Sequence, residues 1–110
     1  MTPITKFSEL DTKLGEIVQV VGVYKEINGA QRPGKYYPSG RACLRLEDGD
    51  TVTLEIQDAG VRPKAEMEQF RDKKVVVTGK YVGWQTLWGD GTQASIVSHC
   101  LVEITELKAF

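Results

Sequence analysis

Residues 16–27, EIVQVVGVYKEI, form the stretch of this sequence that decides the fold. The stretch is rich in β-branched residues and longer than an average strand. Apolar side chains occupy both alternating faces: Ile17, Val21, Val23 and Ile27 share one, and Val18, Val20 and Tyr24 share the other. Such a strand is covered on both sides or passes from one sheet to another, and a central Gly22 makes a bend or bulge easy. We therefore expect one long, bent strand.

The next segments predict a loop and a β-hairpin. Residues 28–40 hold three glycines and two prolines, which disfavour a long regular element. Residues 41–46 and 51–56 then alternate apolar and polar side chains around the turn EDGD, whose residues tolerate positive φ. This alternation predicts a hairpin with one buried face and one solvated face. The expected solvated side chains are Arg41, Cys43, Arg45, Thr51, Thr53 and Glu55.

A short helix is predicted after the hairpin. Pro63 suits a first helical turn, and apolar residues follow it at loose helical spacing. Glu66 and Glu68 are expected on the solvated face of this helix. The N-terminal segment, residues 1–14, predicts one or two further helical turns, with Ser8 as the cap.

Two strands and a loop complete the chain. Residues 74–82, KVVVTGKYV, predict a strand with a second bend at Gly79, and residues 83–93 predict a loop. Residues 94–107 predict the final strand. No internal repeat and no linker interrupts the sequence, so we expect residues 15–110 to form a single domain.

The predicted order is a long bent strand, a loop, a hairpin, a short helix, a strand, a loop and a strand. Five strands with one helix between the third and the fourth is the layout of the OB-fold, a five-stranded Greek-key β-barrel. We therefore predict an all-β fold of this type; an SH3-like barrel, the main alternative, lacks the helix. The sequence also resembles small bacterial OB-type proteins whose role is uncharacterised. The segments that carry this resemblance are VQVVGVYKEI (18–27), LEDGDTVTLEI (46–56), EQFRDKKVVVTGKY (68–81) and ASIVSHCLVEITEL (94–107). The resemblance implies the fold and transfers no catalytic or binding residue.

The composition is that of a balanced globular chain. Of the 110 residues, 41% are hydrophobic and 26% charged, and the formal net charge is −1. This balance excludes a generally basic nucleic-acid coat and a generally acidic mimic, so any electrostatic function must rest on local segregation of charge. Two cysteines, Cys43 and Cys100, are too few for a disulfide scaffold, which favours a reduced, cytoplasmic protein and leaves one bridge between them open. No signal peptide or membrane-spanning stretch is recognisable.

Local segregation of charge is the main functional signal. No Asp or Glu occurs from Ile27 to Leu46 or from Lys73 to Gly89, yet these two windows hold seven of the fourteen bases and five of the six Tyr and Trp residues. In the OB layout the windows are loop 1–2 with strand 2, and strand 4 with loop 4–5, which we expect on one rim of the barrel. Cations that follow phosphates and rings that stack on bases are what single-stranded nucleic acid requires. The predicted ligand-binding residues are Arg32, Lys35, Tyr36, Tyr37, Arg41, Arg45, Lys80, Trp84 and Trp88.

Two other functions stay open on the same residues. A protein-interaction adaptor would use the aromatic loops as anchors, or an exposed strand edge that also allows a homo-oligomer. A small molecule or oligosaccharide is the third candidate, because OB-folds bind all these classes. Loop rings also fold back as lids over a barrel end. The solvated face of strands 2 and 3 carries no aromatic residue, unlike the best-known nucleic-acid-binding OB surfaces.

No catalytic constellation is recognisable. His99 is the single histidine, and a lone histidine in a strand is more often structural than a general base. Cys43, His99 and Cys100 lack paired metal-ligand spacing, and the EDGD run lacks the alternating ligands of a calcium loop. We therefore expect a non-enzymatic binding module with no metal and no cofactor.

Overall fold

The computed structural model describes residues 2–27, 41–55, 62–88 and 96–110. Five strands in these ranges form a closed barrel in the order β1-β2-β3-β5-β4. The elements are α1 (Phe7–Leu10), β1 (Ile17–Ile27), β2 (Arg41–Arg45), β3 (Thr51–Leu54), α2 (Lys64–Phe70), β4 (Lys74–Trp88) and β5 (Ile96–Ala109). Neighbouring strands are antiparallel except β3 and β5, which are parallel. The predicted five-stranded barrel with a short helix between strands 3 and 4 is confirmed, and it is compatible with an OB-type fold.

The long first strand passes from one neighbour to another, as its two apolar faces predict. Ile17 to Val23 pair with β4, and Val23 to Ile27 pair with β2. Gly22 lies at this crossover, and a Cβ atom there would stand 2.8 Å from the backbone carbonyl oxygen of Arg45. Glycine is therefore required by the close approach of β2. The β4–β5 register also shifts between Thr78 and Lys80, around Gly79, where the second bend is predicted.

The barrel interior is filled by apolar side chains from every strand. Burial of one such side chain contributes about 1.5–3 kcal/mol, so this cluster supplies the main stabilisation of the fold. Its fully buried members include Val20, Tyr24, Leu44, Val52, Leu54, Val75, Val77 and Leu101. No helix in the described part of the chain has the length and apolar character needed to cross a membrane.

Strand β4 is longer than predicted. Residues 83–88 continue it and pair with β5, so the prediction of a loop from 83 onward is wrong over these six positions. Gly83 adopts a φ of +73° at a register shift, which allows the strand to continue through a bulge. The glycine that indicated a turn therefore marks an irregularity within a paired strand. Residues 89–93 of the predicted loop and residues 94–95 of the predicted final strand lie outside the described residues.

The second face of the hairpin is less solvated than the alternation predicts. Arg45 and Thr51 are exposed, whereas Cys43 and Thr53 are each only 2% exposed. Thr53 pairs with Cys43 on one side and with Cys100 of β5 on the other. The Cys100 side chain is also buried. Alternation shows which residues share a face of a strand but not whether that face is covered. Because β3 separates the two cysteines by two strand spacings, about 10 Å, a disulfide between them is out of reach.

The N-terminal helix has a single turn, and its first amides are capped by a residue outside the N-terminal segment. Helix α1 begins at Phe7, so the assignment of Ser8 as its cap is wrong. The amides of Phe7 and Ser8 donate instead to the Asp48 carboxylate of the hairpin turn, at 3.0 and 3.4 Å. These bonds satisfy first-turn amides that lack helical partners, and they lower the pKa of Asp48. The contact ties the N-terminal segment to the β2–β3 turn.

Helix α2 carries one acid toward the barrel. The Glu66 side chain is only 14% exposed, so its prediction on the solvated face is wrong, whereas Glu68 is exposed as predicted. Glu66 accepts hydrogen bonds from the Arg62 guanidinium at 2.7 and 2.8 Å and from the Tyr24 hydroxyl at 3.0 Å. Burial and this carboxylate both raise the pKa of Tyr24. The charged partner explains why an acid is tolerated at a nearly buried position.

Candidate functional site

The described residues of the two acid-free windows do not all lie together on the barrel. Because β1 and β4 are antiparallel, with Val23 opposite Lys74 and Ile17 opposite Lys80, the end of β1 lies beside the start of β4. The strand ends that lead toward residues 28–40 and 89–95 therefore lie at opposite ends of this strand pair. Trp84 is ten residues from Lys74, which is roughly 33 Å along an extended strand. Among the described residues of the two windows, Trp84 therefore lies far from Arg45 and Lys74 and does not share one rim with them.

The predicted ligand-binding residues divide accordingly. Arg32, Lys35, Tyr36 and Tyr37 lie outside the described residues, so their predicted roles stay predictions. Arg41 begins β2 and Trp88 ends β4. The structure describes only the backbone of these two residues. The remaining three are Arg45, which is exposed, Lys80, which is half-buried, and Trp84, which is 62% exposed.

A basic groove crosses the outer side of β1 and contains Arg45. Val23 pairs with Arg45 on one side and with Lys74 on the other, so these three residues share one face of the sheet. Two strand spacings separate the Cα atoms of Arg45 and Lys74, about 10 Å. The groove has a volume of about 390 Å³. We call it the β1 groove, lined by Thr5, Val21, Gly22, Val23, Lys25, Arg45, Leu46, Glu47 and Lys74.

The cations of the β1 groove differ in their partners. Lys25 is ion-paired with Asp72 at 2.7 Å, a contact that lowers the pKa of the Asp72 carboxyl. Arg45 and Lys74 form no ion pair with any carboxylate of the described residues. The Lys74 ammonium instead lies 4.9 Å from the centre of the Phe110 ring, which is 70% exposed. Two cations of the groove are therefore available to an anionic ligand.

A second depression lies beside Trp84. We call it the Trp84 cleft; its volume is about 310 Å³, and it is lined by Asp11, Leu14, Tyr81, Val82, Gly83, Trp84 and His99. Trp84 pairs with His99 across β4 and β5, and their ring centroids are 3.8 Å apart. The His99 ring is also 4.3 Å from that of Phe7, and its Nδ1 atom lies 2.8 Å from the Tyr81 hydroxyl. These contacts hold the exposed indole on a packed aromatic base.

The Trp84 cleft carries negative charge. Burial lowers the pKa of His99, so its ring is mainly neutral at neutral pH, although the carboxylates of Asp11 and Asp50 oppose this shift. Burial, and then the Asp11 charge, raise the pKa of Tyr81 to about 12, so its hydroxyl stays protonated. Asp11 is thus the charged group at the cleft, and no lysine or arginine is among the described residues that line it.

The two depressions lie on opposite faces of the sheet. His99 shares strand parity with Leu101, which points into the core, and Trp84 pairs with His99. Arg45 shares parity with Cys43, which pairs with Thr53 and lies on the outer face. The exposed tryptophan and the exposed arginine therefore cannot contact one small ligand together.

Sequence reasoning missed residues in both depressions. Lys25 lies just outside the first acid-free window because Glu26 follows it, and it joins Arg45 only through the pairing of β1 with β2. Asp11 and Leu14 come from the N-terminal segment, some seventy positions before Trp84. Within the described ranges, no three His, Cys, Asp or Glu side chains gather as a set able to hold a metal ion. The His99 ring packs between the rings of Phe7 and Trp84.

Comparisons with known proteins give this chain no family. No family model matches it. No curated protein and no solved structure matches it either. The geometry and the charges of the two depressions are therefore the features that indicate a function.

Proposed function

We propose that this protein is a non-enzymatic binding module of the OB superfamily that holds the backbone of single-stranded nucleic acid in the β1 groove. The observation that carries the proposal is the position of Arg45 and Lys74. They come from different acid-free windows, yet they flank Val23 on the same face of the barrel. The barrel order and the helix between β3 and β4 agree with the OB assignment.

The chemistry of the groove suits a phosphate backbone better than a neutral ligand. Arg45 presents a planar guanidinium that bonds two phosphate oxygens, and Lys74 presents a point charge. Neither side chain is held by a carboxylate of the described residues, so binding a phosphate breaks no such ion pair. The floor at Val21 and Val23 is apolar and accepts sugar or base surface. Glu47 on the groove wall opposes an anion and limits its affinity.

Salt dependence of binding to a labelled oligothymidylate tests the proposal. Fluorescence anisotropy would give the affinity of the wild-type protein and of the Arg45→Gln/Lys74→Gln double variant at several salt concentrations. An exposed charge contact contributes about 0.2–1 kcal/mol, so the double variant should bind roughly 2- to 30-fold more weakly. Each lost phosphate contact also reduces the salt slope by about 0.7, or about 1.4 for both. Glu47→Gln should shift the affinity in the opposite direction.

The matched control removes two positive charges away from the groove. Lys13→Gln/Lys64→Gln changes the net charge equally at two exposed positions that do not line the groove. If this control lowers the affinity and the salt slope as much as the groove variant does, binding follows net charge and the site is wrong. Absence of any wild-type binding at about 100 μM protein and low salt contradicts the function itself, because non-specific binders reach that affinity even at physiological salt.

A further inference from the structure

The Trp84 cleft is unrelated in position and in charge to the β1 groove. Two large apolar side chains stand exposed side by side there, Trp84 at 62% and Leu14 at 66%. They are neighbours because the Cδ1 atom of Leu14 lies 2.8 Å from the position that a Cβ of Gly83 would take. Exposed aromatic and aliphatic anchors beside a depression are typical of protein-interaction sites.

We propose that the Trp84 cleft binds the side chain of an arginine presented by a protein partner. In this arrangement the guanidinium stacks on the exposed face of the Trp84 indole and pairs with the Asp11 carboxylate. The aliphatic part of the arginine and its neighbouring residues cover Leu14. The proposal does not depend on nucleic-acid binding, since the two depressions lie on opposite faces of the sheet.

The Trp84 indole lies on packed side chains before any ligand arrives. The Trp84 ring rests on His99, and His99 contacts both the Phe7 ring and the Tyr81 hydroxyl. Tyr81 is itself only 1% exposed and belongs to the core. A ring held in this way loses little conformational entropy when a ligand stacks on it.

Charge complementarity selects a cation as the ligand. Asp11 supplies a full negative charge, and no described residue that lines the cleft supplies a positive one. No lysine or arginine of the described residues forms an ion pair with Asp11. A phosphate would be repelled by Asp11, whereas a cation over an indole face is attracted by the ring electrons.

Arginine fits the cleft better than lysine does. Its guanidinium is planar, so it stacks on the indole while its forked N–H groups face a carboxylate, and it is more weakly hydrated than an ammonium group. Burial of a lysine ammonium in the same place would give up more hydration and gain no stacking. The chemistry therefore points to an exposed arginine beside apolar residues on the partner.

Short peptides with one changed side chain test this site directly. The probes are acetyl-Gly-Arg-Gly-amide, its isosteric neutral citrulline analogue and its lysine analogue, titrated into ¹⁵N-labelled protein up to roughly 10 mM. The readout is the indole N–H resonance of Trp84, assigned by its loss in Trp84→Phe. We expect a saturable shift with the arginine peptide, a weaker response with lysine and none with citrulline. Asp11→Asn should weaken arginine binding about fivefold.

The control variant is Glu9→Gln, which removes an exposed acid of α1, two residues before Asp11, that does not line the cleft. It should bind the arginine peptide as the wild type does, and a dispersed amide spectrum shows that Asp11→Asn remains folded. Equal shifts with citrulline and arginine, or unchanged affinity in Asp11→Asn, would overturn the proposal. So would the lack of any shift at the highest peptide concentration, or a saturable shift of the Trp84 indole by oligothymidylate.

Discussion

The β1 groove and the Trp84 cleft are built on the same barrel but present opposite chemistry. The groove offers Arg45 and Lys74 around an apolar floor, with Glu47 at its wall. The cleft offers an exposed indole beside Asp11 and contains no described lysine or arginine. A formal net charge of −1 therefore averages over two surfaces that should attract opposite partners. The difference shows that charge must be assigned to faces of the barrel before it indicates a ligand.

Replacement of one glycine in each region by alanine should change stability, and the change at Gly22 is the largest effect that we expect. A Cβ at Gly22 would stand 2.8 Å from the Arg45 carbonyl oxygen, which the β1–β2 pairing fixes in place. Gly22→Ala should therefore lower the free energy of unfolding toward the upper end of the roughly 1–3 kcal/mol typical of overpacking. At Gly83 the close atom belongs to the exposed side chain of Leu14, which can move aside, so Gly83→Ala costs mainly the strain of its φ of +73°, about 1 kcal/mol.

Urea denaturation of the two alanine variants measures this difference. The comparison also separates the sites, because Gly22→Ala should weaken oligothymidylate binding while leaving the Trp84 indole resonance in place. We expect Gly22→Ala to be the more destabilised variant, because β1 packs more tightly against β2 than the bulge at Gly83 packs against Leu14. Equal destabilisation of the two variants would contradict this difference.

The smallest expected effect is on the pH dependence of stability, through the titration of His99 in the Trp84 cleft. Burial lowers the pKa of His99 below its ordinary 6.5, whereas the Asp11 and Asp50 carboxylates raise it. The unfolded chain then binds more protons than the native protein near and below pH 6.5, so this residue's contribution makes stability fall as the pH drops through that range. Asp11→Asn should lower the pKa of His99 further, because it removes a carboxylate that favours the charged ring.

The His99 ring protons, followed by NMR as the pH changes, report this pKa. Glu9→Gln is again the control and should leave the value unchanged. A pKa of His99 above 6.5 in the wild-type protein would mean that the ring is not held in the buried aromatic contacts described for the cleft.

The fold was accessible from the sequence because its signals are local. Apolar residues on both faces of β1, with Gly22 between them, indicate a strand that changes neighbours, and the alternation at Val52 and Leu54 indicates a hairpin strand. Register is set by long-range pairing, and no local pattern contains it. The extension of β4 to Trp88 was missed for that reason, since the glycine at position 83 is equally compatible with a turn or a bulge.

The candidate sites were accessible only in part. The acid-free windows pointed to Arg45 and Trp84 and placed them on one rim, whereas Lys74, although it lies in the second window, was not among the predicted ligand-binding residues. Only the antiparallel pairing of β1 with β4 shows that Lys74 lies beside Arg45 and far from Trp84. The contribution of Asp11 to the cleft depends on how the N-terminal segment packs, and this packing depends partly on Asp48, which holds α1 from a turn forty residues away.

Mapping oligothymidylate onto the amide spectrum of the ¹⁵N-labelled protein is the most direct test of the proposed function. The proposal predicts that shifts concentrate at Val23, Arg45 and Lys74, weaken as salt is added, and leave the Trp84 indole N–H unmoved. Shifts centred on Trp84 and His99, with the Arg45 and Lys74 amides unchanged, would contradict it and would return the nucleic-acid site to the aromatic end of the barrel.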